Sequence, residues 1–350
     1  MVSIFNNLSK GIEKKNEKSY NERKNSRSAE KMKKWIWCSL IAIVFWGLIF
    51  HADASQAAKK QEPLQVKGTK IVNAKGKTVN LRGVSTHGIA WFPQYVNKKA
   101  FRSFQKMGAN TIRLALYSDP GAGYQKSLYT KVEEGVKAAT DLGMYVILDW
   151  HILSDGNPKT NQSKAKEFFT YFSKKYASQT NVIYEICNEP NGNVNWKKDI
   201  KPYAESMISL IRQNDKDALI IVGTPTWSQD VDVVAYDPIQ GQTNILYALH
   251  FYAATHGDGI RNKLIQAHKK NLPVIVSEFS ICDASGNGAI NKKEAKKWMS
   301  LLKKYNIGRV AWSLCNKNET SALLKPSCKT TTNIKKSHLS KTGKWIVKNW

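Results

Sequence analysis

Short apolar runs recur along most of the chain: VNLRGV (79–84), NTIRLALY (110–117), MYVILDWH (144–151), NVIYEIC (181–187), ALIIVG (218–223), NILYALHFY (244–252), LPVIVSEF (272–279) and GRVAWSL (308–314). Amphipathic segments lie between them. In KVEEGVKAATDLG, Val132, Val136, Ala139 and Leu142 recur at helical spacing and Gly143 is a natural stop. KKAFRSFQKMG repeats the pattern with Phe101, Phe104 and Met107, ending at Gly108. Continuous apolar strands alternating with helices imply a parallel sheet covered on its faces. Eight such units in about 250 residues predict an α/β fold, a (β/α)8 TIM barrel. The alternative, a doubly wound open sheet, lacks a G-x-G-x-x-G after its first strand. Ahead of the barrel, LQVKGTKIVNAKGKTVN alternates apolar and polar residues around Gly68 and Gly76, which predicts a short β-hairpin.

The N-terminal region breaks this rhythm. Residues 1–31 are polar and rich in Lys, Asn, Ser and Glu, and read as a disordered extension, or as sequence upstream of the true start. Met32-Lys33-Lys34 then precede an uncharged run of 16 residues, WIWCSLIAIVFWGLIF (35–50), and the small-residue pattern Ala52-Asp53-Ala54. Residues 32–54 therefore read as a secretory signal peptide cleaved before Ser55. The competing reading is an uncleaved signal anchor with a basic cytoplasmic tail. Residues 55–63 form a linker, and 64–350 a single folded domain.

Charge and cysteine usage narrow the function classes. The chain of 350 residues carries 54 basic and 27 acidic residues, a formal +27. Without residues 1–54 it keeps 44 basic and 22 acidic residues, so the basicity belongs to the folded part. Such a field suits retention near anionic cell-surface polymers. Nucleic acid is not an expected partner: no helix-turn-helix, RNP or zinc-finger pattern occurs, and lysines spread along helices as in KKEAKKW read as solvated faces. Beyond Cys38 in the leader, Cys187, Cys282, Cys315 and Cys328 form no C-x-x-C pair, which argues against zinc. Their spacing permits a Cys315–Cys328 disulfide, and Cys187 reads as a packed thiol.

In a barrel of this kind the active site forms at the C-terminal ends of the strands. The eight runs end into Ser85-Thr86-His87; Tyr117, with Arg113 inside the run; Asp149-Trp150-His151; Asn188-Glu189; Thr224-Pro225-Thr226-Trp227; His250-Phe251-Tyr252; Ser277-Glu278; and Trp312. Singly, each has a bland reading: a packed histidine, a core tryptophan, an arginine neutralising a buried acid such as Glu185. Eight coincidences at one end are harder to dismiss. Two of the ends present a glutamate, Glu189 and Glu278, and a pair of carboxyl groups flanking a bond is what glycoside hydrolysis requires. One must be protonated and the other ionised, so their surroundings must differ, and Arg113 is a candidate to keep one ionised. Eleven tryptophans suit stacking on sugar faces, although tryptophan also fills cores.

Taken in order, LRGVSTHGIAWF, NTIRLALY, DWHIL, YEICNEP, LHFYA, SEFS and AWSLCNKNETSALL resemble glycoside hydrolase family five, the cellulase family, in its bacterial endoglucanase branch. The resemblance runs from about Leu64 to the C-terminus. It implies a retaining endo-β-1,4-glucanase acting on cellulose or mixed-linkage β-glucan, with Glu189 as acid/base and Glu278 as nucleophile. It also implies that Asn188 bonds the sugar 2-hydroxyl, Arg113 and Tyr252 hold the nucleophile, and His151 and His250 shape the polar floor. His87, Trp91, Tyr117, Trp227, Trp312, Lys317 and Glu319 would line glucose subsites. The same glutamate pair would serve a β-mannanase or a xyloglucanase. A catalytically silent surface glycan-binding protein is a reading from a different class. No cofactor or metal is expected, nor a separate carbohydrate-binding module or dockerin, and the protein is expected to be a monomer. Asn188 and Glu189 are neighbours, so strict strand alternation would turn one away from the sugar, and a bulge is predicted there.

Overall fold

The structure, a computed structural model, describes residues 61–350 together with Met32. The extension, the signal segment, Cys38 and most of the linker lie outside the described residues. Among the described residues, no helix is long and apolar enough to cross a membrane.

Strands β1 (Leu64–Lys67) and β2 (Lys70–Asn73) pair antiparallel as the expected hairpin. Strands β3 (Arg82–Thr86), β4 (Thr111–Tyr117), β5 (Tyr145–His151), β6 (Val182–Glu185), β7 (Leu219–Val222), β8 (Ile245–Tyr252), β9 (Val274–Ser280) and β10 (Arg309–Leu314) close into a parallel barrel in chain order, β10 pairing with β3. Around it run α1 (Lys98–Lys106), α2 (Tyr129–Thr140), α3 (Gln162–Tyr176), α4 (Lys201–Arg212), α5 (Asp258–Lys269), α6 (Lys292–Tyr305) and α7 (Lys341–Lys348). Helix α2 stops at Thr140, and Gly143, at φ 63, takes the left-handed turn into β5 that a Cβ would strain.

Strand alternation divides the apolar residues between two cores. One parity of each strand faces the helices: Ile112, Leu114 and Leu116 of β4, Val146, Leu148 and Trp150 of β5, and Val274 and Val276 of β9. The other parity fills the barrel. At its N-terminal end these residues are Tyr145, Ile147, Ile183, Leu219, Ile221, Leu246, Ala248, Ile275 and Val310, joined by Leu64 and Ile71 of the hairpin. The hairpin therefore plugs the bottom of the barrel, and the Val66 N–H donates to Asn244 Oδ1 at 3.0 Å to hold it there.

Cys187, Cys282, Cys315 and Cys328 are all buried free thiols, so the permitted Cys315–Cys328 bridge is not formed. Cys315 Sγ lies 3.5 Å from Ser313 Oγ, while the Cys328 thiol points to the Thr330 carbonyl at 3.6 Å.

Candidate active site

At the C-terminal end of the barrel, the same inward parity turns polar. Arg113, on the inward parity of β4 and paired in register with Ile147, is fully buried. Its Nε donates to Glu185 Oε2 at 2.7 Å, Nη1 to Glu278 Oε2 at 3.0 Å, and Nη2 to Asn188 Oδ1 at 2.6 Å. Asp149 Oδ2 lies 3.1 Å from Nη2 as a third carboxyl partner. Burial works against the guanidinium charge, but these carboxylates outweigh it and raise its pKa above the ordinary arginine value. Glu185, which burial alone would push up, is brought down to about 2 by Arg113 and His250. Asp149 goes the other way: burial raises it, and the nearby charges of Glu185 and Glu278 add to the effect. Its Oδ1 has no hydrogen-bond partner among the described residues, which suits a neutral carboxyl better than an ionised one.

Two strand irregularities bring the glutamates into this end. Beyond β6, the amides of Asn188 and Glu189 both donate toward the β5 side, to Trp150 O at 3.1 Å and Ile152 O at 3.3 Å. In a regular strand successive amides point to opposite sides. The expected break in alternation is therefore present. Gly223 makes room for it: a Cβ there would meet the Cys187 carbonyl oxygen at 2.3 Å. A second irregularity lies in β9, where Ala248 pairs with Ile275 but His250 pairs with Glu278. One extra residue in β9 turns both Ser277 and Glu278 toward the barrel axis.

Both oxygens of Glu278 are held. Oε2 accepts from Arg113, and Oε1 accepts from the Tyr252 hydroxyl at 2.7 Å. Glu189 Oε1 lies 2.9 Å from His250 Nδ1, and His250 Nε2 lies 2.9 Å from Ser277 Oγ. Burial lowers the pKa of His250, but the carboxylates of Glu185, 3.8 Å from Nε2, and of Glu189 outweigh it and bring the ring up to about 9. His151 is instead lowered to about 3 by burial and by Arg113. His87 also falls to about 3, by burial and the charge of Lys317. A ligand atom from each of Glu189, His250 and Glu278 lies within 4.8 Å of the others. Protein donors already engage both Glu278 oxygens, so the trio is arranged around Arg113 and Tyr252 rather than left open for a cation.

Above this floor opens a cleft of about 690 Å³. Tyr117 and Trp312 pack on either side of His151, with ring centroids 4.3 and 5.1 Å away. Trp91 stacks on Tyr117 at 5.2 Å. Trp91 and Trp227 keep 49% and 45% of their surface exposed and follow β3 and β7, which stand opposite each other in the ring. Trp227 is projected by an unusual arm, Thr226-Trp227-Ser228, with φ 55 at each residue. The Trp227 N–H donates to Pro190 O at 2.9 Å and the Ser228 hydroxyl to Asn188 O at 2.6 Å, so the arm hangs on the Asn188–Pro190 turn. Lys317 and Glu319 pair at 2.6 Å on the wall after β10.

The profile of the cellulase family, glycosyl hydrolase family 5, matches residues 72–318. The chain belongs to that family. An endoglucanase of Clostridium saccharobutylicum is 44% identical over 290 residues, which are 82% of this chain and 64% of that protein. The chain thus spans less than two thirds of that relative's length. Among solved structures, the cellulase Cel5C_n is 39% identical with TM-score 0.78, over 83% of this chain and 92% of that one. A variant of the catalytic domain of Thermobifida fusca endoglucanase Cel5A, in complex with cellotetraose, is 35% identical with TM-score 0.74, over 81% and 96%.

Of the fourteen residues the sequence singled out, this family member places twelve in the cleft wall. The other two, Arg113 and Asn188, lie fully buried beneath it. Asn188 spends its amide on protein: Oδ1 on Arg113, and Nδ2 on Ile152 O at 3.0 Å and toward His151 Nε2 at 3.3 Å. Sequence reading left out Asp149 and Ser277, although both stood at strand ends, and kept Glu185 only as a partner of Arg113. It also missed Ser154, Gln229, His256, Ser285 and Gly286, which reach the wall from loops without periodicity.

Proposed function

We propose that the chain is a retaining endo-β-1,4-glucanase that cleaves internal bonds of cellulose or mixed-linkage β-glucan by double displacement. The observation that carries this is the approach of the Glu189 and Glu278 carboxylates to within 4.8 Å. Retaining enzymes hold their carboxyl groups about 5–5.5 Å apart, inverting ones about 6.5–9.5 Å. Glu278, held by Arg113 and Tyr252, attacks the anomeric carbon while Glu189 gives its proton to the leaving oxygen, which takes the C–O bond pair. Water then replaces the enzyme at that carbon, and its proton returns to Glu189. Endo action is supported by Trp91 and Trp227 on opposite sides of the pair, so that sugar units find a stacking face on each side of the cleaved bond. The cellotetraose seen in the related Thermobifida fusca domain fits the same substrate class. Residues 32–54 would direct export, giving a mature N-terminus at Ser55.

The test is a reducing-sugar assay of residues 55–350 on carboxymethyl-cellulose, barley β-glucan, xyloglucan and mannan, beside Glu278→Gln. Activity on the first two should vanish in the variant, by about 10⁴-fold or more. Activity on mannan or xyloglucan alone would replace the substrate and keep the mechanism. Folded protein silent on all four would leave a glycan-binding role.

A further inference from the structure

Glu189 and Arg113 are joined by a buried chain of contacts that the reaction above does not use. His250 Nδ1 faces Glu189 Oε1 at 2.9 Å, and His250 Nε2 faces Ser277 Oγ at 2.9 Å. The Ser277 hydroxyl donates to Glu185 Oε1 at 2.6 Å, and Glu185 Oε2 accepts from Arg113 at 2.7 Å. Ser277 and Glu185 are both fully buried. A serine hydroxyl has one proton to give. The short contact to Glu185, ionised beside Arg113, claims it, since a bond to a charged acceptor is the shorter and stronger kind. Ser277 Oγ can then meet His250 Nε2 only as an acceptor, so Nε2 must carry a hydrogen.

We propose that Ser277, committed to Glu185, locks His250 with its proton on Nε2 and thereby reserves Nδ1 for exchanging a proton with Glu189. This rests on the reading of Glu189 as acid/base. With Nε2–H fixed, neutral His250 offers a lone pair at Nδ1 and accepts from protonated Glu189. The imidazolium instead donates from Nδ1 to ionised Glu189. The two arrangements hold the same single proton, on Glu189 or on Nδ1. In the first half the single proton held between Glu189 and Nδ1 goes to the leaving oxygen, leaving ionised Glu189 beside neutral His250; when water is split in the second half, its proton returns to the Glu189–Nδ1 pair. Were the neutral ring free to place its proton on Nδ1 with Nε2 bare, it would donate to ionised Glu189 and could not yield that proton without becoming an anion, so no acid would stand ready for the first half. With the His250 pKa raised to about 9, the pair keeps this proton at neutral pH. Ser277 touches no substrate; it is a positioning residue.

The lock predicts a dependence on the leaving group. A dinitrophenolate departs without a proton, whereas a sugar hydroxyl does not. Ser277→Ala, Ser277→Thr and Glu189→Ala should be compared by kcat/KM on 2,4-dinitrophenyl β-cellobioside and on barley β-glucan. Ser277→Ala should lose about 10- to 100-fold on the glucan, and less than about 3-fold on the aryl glycoside. Ser277→Thr, which keeps the hydroxyl, should restore most of the loss. Equal losses on both substrates, or none, would overturn the lock. Glu189→Ala reads the underlying assignment separately: an equal loss on both substrates there would remove the acid/base role itself. Should Ser277→Ala fail to fold, ¹⁵N-histidine NMR of the unaltered protein decides. Neutral His250 with its hydrogen on Nδ1 and a bare Nε2 would refute the proposal.

Discussion

Along β5 the inward positions run Tyr145, Ile147, Asp149, His151, and along β8 they run Leu246, Ala248, His250, Tyr252. In each strand the lower two belong to the apolar plug and the upper two to the polar site. On β6 the change comes within one step, from Ile183 to Glu185. Both halves are equally dry, but they are held together differently. The lower half is held by non-directional burial, roughly proportional to area. The upper half is held by a guanidinium with three carboxyl partners, where each group is tolerable only because the others are present. One end of a single barrel can therefore be tuned for chemistry while the other maintains the fold.

The sharpest way to break this contrast is to delete one member from each half. Arg113→Met strands Glu185 and Glu278 in a dry interior and should cost about 3–5 kcal/mol of stability while abolishing turnover. Ile147→Ala should cost a comparable 2–5 kcal/mol through lost burial and a cavity. Its folded fraction should nevertheless keep kcat within about threefold, because nothing in the plug touches the reacting groups. Urea unfolding paired with active-site-normalised kinetics measures both. Equal activity losses would show that the halves are not separable.

The upper half should also set the pH dependence of stability. His250 is raised from 6.5 to about 9, so its contribution is complete below about pH 6.5 and is lost as pH climbs toward 9. His87 and His151 are depressed from 6.5 to about 3. The folded protein binds fewer protons there than the unfolded chain, and stability is lost as pH falls below 6.5. Calorimetry should find Tm highest near pH 6.5 and falling on both sides. A Tm still rising between pH 7 and 9 would contradict the assignment of His250. The smallest effect should come from the rim. Trp227→Ala removes one stacking face and should lower kcat/KM on glucan about 3- to 10-fold, mainly through KM, with Tm nearly unchanged. A large fall in kcat instead would mean that the arm, through Pro190, helps to place Glu189.

Much of this contrast was legible before any coordinates, because strand period and strand-end chemistry are both written locally. The eight runs matched the eight barrel strands with boundaries displaced by a few residues, the largest shift at the first, where the run from 79 becomes β3 from Arg82. The adjacency of Asn188 and Glu189 forced the first bulge into view, since both could not point inward from a regular strand. Ser277 and Glu278 posed the same problem, but serine attracts no chemical suspicion and the second bulge passed unnoticed. Its partners are long-range: Ser277 meets Glu185 across 92 residues of sequence. Proton placement in such a network depends on contacts between strands, which no local pattern encodes. Loop residues such as His256 and Gln229 were invisible for the same reason.

The arrangement around Arg113 also bears on inhibition. Burial and the charges of Glu185 and Glu278 push Asp149 toward its neutral form, so Arg113, shared with Glu185, offsets the Glu278 charge only in part. A sugar ring that carries a permanent positive charge at the anomeric carbon, such as a protonated isofagomine extended by glucose, would find its counter-ion already in place. The strongly basic exterior would repel the same compound at a distance, so added salt should quicken its capture. Medicinal chemistry on this scaffold would then turn on ionic strength as much as on fit.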